Sequence, residues 1–144
     1  MKSSDLLIRK LKEFEGCRLK AYKCPAGVWT IGVGHTKGVT AGMEITQERA
    51  DELLREDLKV YEDFLYGLKI CKRQWQFDAL VSMTFNIGIA AFKRSTLLKN
   101  IQQGKSEQYI RIQFARWNKA NGKVLPGLVK RRAWEADRYF GKEG

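Results

Sequence analysis

Histidine and proline are almost missing from this 144-residue chain, which has one of the first and two of the second. The single imidazole, His35, and three cysteines without ligand spacing, Cys17, Cys24 and Cys71, give no zinc site, and no metal or cofactor is expected. An odd cysteine count fits a reducing compartment. No apolar run approaches the roughly 18 residues that a membrane span needs. The amino terminus, MKSSDLLIRKLKEFEG, scatters charge where a signal peptide or signal anchor would carry an apolar stretch. The product is therefore expected to accumulate in the cytosol. Gly/Ser-rich linkers, repeats and low-complexity tracts are also lacking, so no second module is expected.

Acid is in short supply as well. Sixteen Asp and Glu against 27 Lys and Arg leave a net charge of +11 and a pI near 9.7. Such a balance attracts polyanions, either nucleic acid or the acidic bacterial envelope, and charge alone does not choose between them. What is present is a core: 44% hydrophobic and 11% aromatic residues suit one folded domain, not disorder.

The chemistry concentrates between Glu15 and Thr36, in EGCRLKAYKCPAGVWTIGVGHT. Ser3 or Ser4 caps a first helix in which Leu7, Leu11 and Phe14 recur at helical spacing, and Gly16 supplies a stop. Glu15 falls on the last turn, where the negative end of the helix dipole stands against a carboxylate. A helix built only for stability would carry a cation there. An acid that keeps its proton is what protonation of a departing sugar oxygen requires. Beyond Gly16 the pattern becomes β-prone, with strands expected over 18–23 and 28–33. Cys24-Pro25-Ala26-Gly27 has the composition of a tight turn. A hairpin there swings Cys24 and Thr30 back beside the helix end. Gly32 and Gly34 permit close backbone approach to a ligand.

The spacing Glu15-x8-Cys24-x5-Thr30 resembles the active-site signature of the phage-type lysozymes, the T4- and P22-type glycoside hydrolases. Gly16, Leu19, Tyr22, Ile31, Gly32, Gly34 and His35 match around it. Ala79-Leu80-Val81-Ser82 leading to Phe85-Asn86-Ile87-Gly88 is similar to the family's central helix. Phe92, Ser95 to Leu98, Arg116-Trp117 and the run from Leu125 to Arg132 follow in order.

The resemblance implies an α+β, mostly helical, two-lobe fold. It sets a small lobe with a β-hairpin or three-stranded sheet at about 15–60, a linking helix at about 47–66, and a helical lobe at about 67–144 joined by the N-terminal helix. It implies hydrolysis of the β-1,4 bond between N-acetylmuramic acid and N-acetylglucosamine of peptidoglycan, for host lysis. Glu15, Cys24 and Thr30 would be catalytic, with Gly34, His35, Thr36, Phe85, Asn86 and Ser95 at the substrate. It further implies a monomer with no nucleic-acid partner, which reaches the wall from the host cytoplasm through a separate pore, a holin. Cys24 stands where many members have Asp, and three roles stay open for it: a thiolate, a neutral group placing water, or a nucleophile. The first two suit an inverting hydrolysis with Thr30 holding the water. A lytic transglycosylase, which needs one acid, is the rival enzyme. A basic envelope-disrupting protein is the rival from another class.

Downstream, Thr46 caps a helix over 47–66 ended by Gly67. The helix over 72–85 is apolar on more than one side, which places it centrally. Ser95 caps a helix over 96–103, Ser106 starts another, and 118–127 is a loop by its Asn-Gly and Pro-Gly content. Phe85 also reads as a core aromatic and Asn86 as a helix cap. The final helix, 128–140, sets Lys130, Arg131, Arg132 and Arg138 against apolar residues. Its cations either meet an anionic surface or serve the fold, and the second reading is favoured.

Overall fold

The computed structural model describes residues 1–142; the last two residues of the expected helical lobe lie outside the described residues. The fold is α+β and mostly helical. The chain divides into two compact units, Ser4–Lys59 and residues 1–3 with 60 onward.

The first unit opens with α1, Asp5–Glu15. Ser4 caps it by accepting from the Leu7 backbone N–H at 3.1 Å, and Leu7, Ile8 and Leu11 form its buried stripe. At Gly16 the backbone turns to φ 79°, ψ 160°, where an L side chain is strained, and the helix ends. Two strands follow, β1 (Arg18–Lys23) and β2 (Trp29–Gly32), paired antiparallel with Tyr22 opposite Thr30 and an irregularity between Arg18 and Tyr22. Pairing from a third segment comes from residues 43–45, through Ala21 N–H to Met43 O (2.8 Å) and Ile45 N–H to Leu19 O (2.9 Å). Helix α2, Gln47–Leu68, starts in this unit and continues beyond it. It runs through Gly67, which does not end it; Lys69 at φ 56° follows the last helical residue. Sequence reading grouped α1 with the helical lobe. Here it falls with 4–59, where Lys12 meets Asp51 at 2.6 Å and Asp5 meets Arg55 at 2.7 Å.

The second unit is built on α3, Gln74–Ile87, in which every side chain from Phe77 to Thr84 is buried. A run buried on all sides has no solvent face, which is why its amphipathic signal is weak. After the short α4 (Ile89–Lys93) come α5 (Thr96–Gln102), α6 (Glu107–Ala115) and α7 (Pro126–Tyr139). Helix α7 packs on α3 and on α6. Between α6 and α7 the expected loop is a small hairpin, β3 (Lys119–Ala120) and β4 (Lys123–Val124). Asn121 and Gly122 turn it at φ 52° and 77°, both left-handed, as a two-residue turn demands.

Helix α7 turns three of its charged side chains into the interior. Arg131, Arg132 and Glu135 are 3%, 1% and 0% exposed. Glu135 lies 2.7 Å from Arg132 Nε and 3.3 Å from Arg131 Nε, and accepts the Ser82 hydroxyl. Arg138 pairs with Asp78 at 2.7 Å. Arg131, Arg132 and Arg138 thus serve the fold, as the sequence reading favoured for the helix, whereas Lys130 is exposed.

Candidate active site

The first hairpin is shaped by its turn. Gly27 N–H donates to Cys24 O at 2.8 Å, and Cys24 N–H donates to Val28 O at 2.9 Å. Pro25 presets the bend and Gly27 takes φ 79°. This folds the backbone N–H groups of Val28 and Ala26 onto the Cys24 sulfur. Those two groups, Val28 first, hold the thiol below its ordinary value. An aspartate opening a turn accepts from the same backbone groups.

Thr30 lies across the pair from Tyr22 and is buried, 3% exposed. Its hydroxyl donates to Val28 O at 2.9 Å. One hydroxyl has one proton, so against a thiol Thr30 offers lone pairs, and it supports a thiolate only by releasing Val28. Cys24 itself is part exposed. Cys24 and Thr30 are thus brought together, with the sulfur as the accessible member. Glu15 is exposed, the last residue of α1 and three residues before β1, in the same unit.

The remaining expected site residues separate into accessible and committed ones. Gly34 and Thr36 are exposed in the turn after β2, whose ends bond as Ile31 N–H to His35 O (2.8 Å) and His35 N–H to Ile31 O (3.0 Å). His35 is committed. Its Nδ1 lies 2.8 Å from Asp57 Oδ2 and its Nε2 2.8 Å from Lys37 O. In the other unit Asn86 is exposed, and Phe85 is part-buried with its ring edge-on to Tyr61 at 5.4 Å. Ser95 is buried; its hydroxyl donates to Phe92 O (2.6 Å) and caps α5 by accepting from Leu98 N–H (3.1 Å). Asp57 is the residue that sequence reasoning missed. Its place on the apolar stripe of α2 was the available signal. The described residues hold no group of three or more His, Cys, Asp and Glu that could bind a metal.

The α+β, mostly helical fold, with a small antiparallel hairpin following α1, is that of the lysozyme-like class. The particular family follows: the chain belongs to the phage lysozyme family, which matches residues 12–135. It is 47% identical over 130 residues to an endolysin of Acyrthosiphon pisum secondary endosymbiont phage 1, covering 87% of this chain and 88% of that protein. It is 44% identical over 141 residues to the endolysin of Salmonella phage P22, covering 94% and 95%. The endolysin of Bacillus phage PZA is 42% identical over 94% of this chain, which spans only 54% of that protein. Among solved structures, a P22 lysozyme mutant superposes with a TM-score of 0.87 at 41% identity, covering 98% of this chain and 99% of that one. The muramidase domain of SpmX from Asticaccaulis excentricus gives 0.87 at 38%, covering 96% and 97%.

Proposed function

We propose that this endolysin-type muramidase hydrolyses the β-1,4 bond between N-acetylmuramic acid and N-acetylglucosamine, with Glu15 as the acid that protonates the leaving oxygen. The observation that carries the reading is the Cys24–Thr30 pair: a sulfur shifted toward its thiolate, with Thr30 buried behind it. A thiolate accepts one proton of a water and leaves the water's lone pair for the anomeric carbon. Thr30 then works through Cys24, holding the sulfur in place, while the water contact falls to the sulfur. Water attacking the face opposite Glu15 gives inversion. In the unit that holds Glu15, Gly34 and Thr36 remain available to the saccharide. His35 and Ser95 serve it indirectly, by fixing the turn after β2 and the start of α5.

Peptidoglycan is the substrate; a monomer, attraction to the anionic envelope and dependence on a holin complete the proposal. None of the described helices is long and apolar enough to cross a membrane. The test is mass spectrometry and anomer analysis of fragments released from sacculi. Hydrated ends with inverted configuration are expected. Anhydro ends would replace the hydrolase by a transglycosylase, and retained configuration would make Cys24 the nucleophile.

A further inference from the structure

From Ile112 to Trp134 the chain contains no Asp or Glu. Six cations fall in this stretch, and the structure separates them. Arg131 and Arg132 are buried on Glu135. Arg116, Lys119, Lys123 and Lys130 are exposed, and none has an ion pair among the described residues.

The same stretch carries three aliphatic side chains that the fold leaves outside: Val124 at 54%, Leu125 at 41% and Val129 at 45% exposure. Their placement follows from backbone geometry. Val124 is paired with Lys119 across the second hairpin, so the two side chains share a face. The ladder extends to Leu125, whose N–H reaches Asn118 O at 3.0 Å. Leu125 then begins α7, and Val129 N–H returns to Leu125 O at 3.0 Å, one turn on. The result is an exposed hairpin and helix start, with Lys119 and Val124 on one face of the hairpin, Lys123 and Leu125 on the other, and Val129 one turn into the helix.

We propose that this surface docks on an anionic phospholipid bilayer. Cations alone would suit any polyanion. Exposed valine and leucine among them suit a partner with anionic headgroups over hydrocarbon, because aliphatic side chains gain nothing from a sugar-phosphate or carboxylate polymer. The surface is distinct from the outer side of α7 as a whole, whose remaining cation Arg138 is held by Asp78. The inference deepens the envelope-directed reading of the protein and names its surface. It is independent of hydrolysis, so its failure leaves the muramidase reading standing.

The experiment is sedimentation of the full chain with vesicles containing phosphatidylglycerol, against vesicles of phosphatidylcholine alone. Each lysine at an anionic surface contributes about fivefold in partitioning, from about 1 kcal/mol per cation. Lys119→Glu with Lys123→Glu is expected to lower binding to phosphatidylglycerol by about thirtyfold or more. Val124→Asp alone is expected to lower it severalfold. Lys59→Glu with Lys99→Glu, the same charge change on other exposed helix positions, should stay within about threefold of wild type. Equal losses from the two lysine pairs would overturn the proposal, since binding would then follow net charge. Retention on heparin without vesicle binding would also overturn it, making the surface a site for polyanions instead.

Discussion

Replacing Glu135 by glutamine tests how α7 is held to α3. The change keeps side-chain shape and removes the one negative charge lying between two guanidiniums that are 3% and 1% exposed. In the wild type, burial pushes the Glu135 carboxyl up, and the charges of Arg132 and Arg131 work against it. Without the carboxylate, Arg131 keeps its bond to Ser82 O at 3.0 Å and Arg132 a longer one to Trp117 O at 3.3 Å. Two adjacent buried cations remain. Breaking a buried pair from one side costs about 3–5 kcal/mol, a large share of the roughly 5–15 kcal/mol that a domain has. At about 3 °C per kcal/mol for this chain length, Tm should fall by about 9–15 °C by scanning calorimetry. A companion variant sharpens the logic: Arg131→Met, Arg132→Leu and Glu135→Leu together remove every charge and should recover most of the loss. A single glutamine variant within about 1 kcal/mol of wild type would refute the reasoning.

Three further outcomes follow from the same geometry. Cys24 should be alkylated at neutral pH well before Cys71, whose thiol burial pushes up to about 12; peptide mass mapping of a timed reaction reads the order, and early labelling of Cys71 contradicts it. Cys71 and Tyr139 are both raised to about 12 by burial, so the folded chain keeps protons that the unfolded chain releases near 9.0 and 10.0. Their contribution to stability is therefore full below about pH 9 and lost as pH climbs toward 12; a urea midpoint unchanged between pH 8 and 11 would contradict it. Asp57→Asn should cost about 1–2 kcal/mol in denaturant unfolding, because it weakens a charged bond to a ring that is otherwise held by Lys37 O. No measurable loss would show that His35 does not depend on Asp57.

What could be read from the chain was what is fixed locally. Ser4, Thr46 and Ser95 announce helix starts because a cap acts within three residues. Pro25 and Gly27 announce the first hairpin, and with it the meeting of Cys24 and Thr30. The second hairpin was hidden despite Asn121-Gly122, because strands of two residues are too short to show alternation. Gly67 looked like a terminator; helix propensity is a weak prior, and α2 continues past it to Leu68. The pairing of His35 with Asp57 joins residues 22 positions apart, and the acid's place on an apolar stripe marks Asp57 without naming its partner. The Arg131–Arg132–Glu135 cluster is the extreme case. Its cations were expected to serve the fold, but their meeting with Glu135 and Ser82 comes only from the packing of α7 on α3.

The account rests on the proton of Glu15, and one comparison tests it most directly: soluble fragment release from purified sacculi by wild type and Glu15→Gln, under reducing conditions and at equal folded concentration. Glutamine keeps the shape and removes the proton donor. General acid catalysis contributes about 100- to 10,000-fold, so the variant should lose at least about 100-fold in rate. A variant that keeps a tenth or more of wild-type activity would contradict the role assigned to the carboxyl at the end of α1.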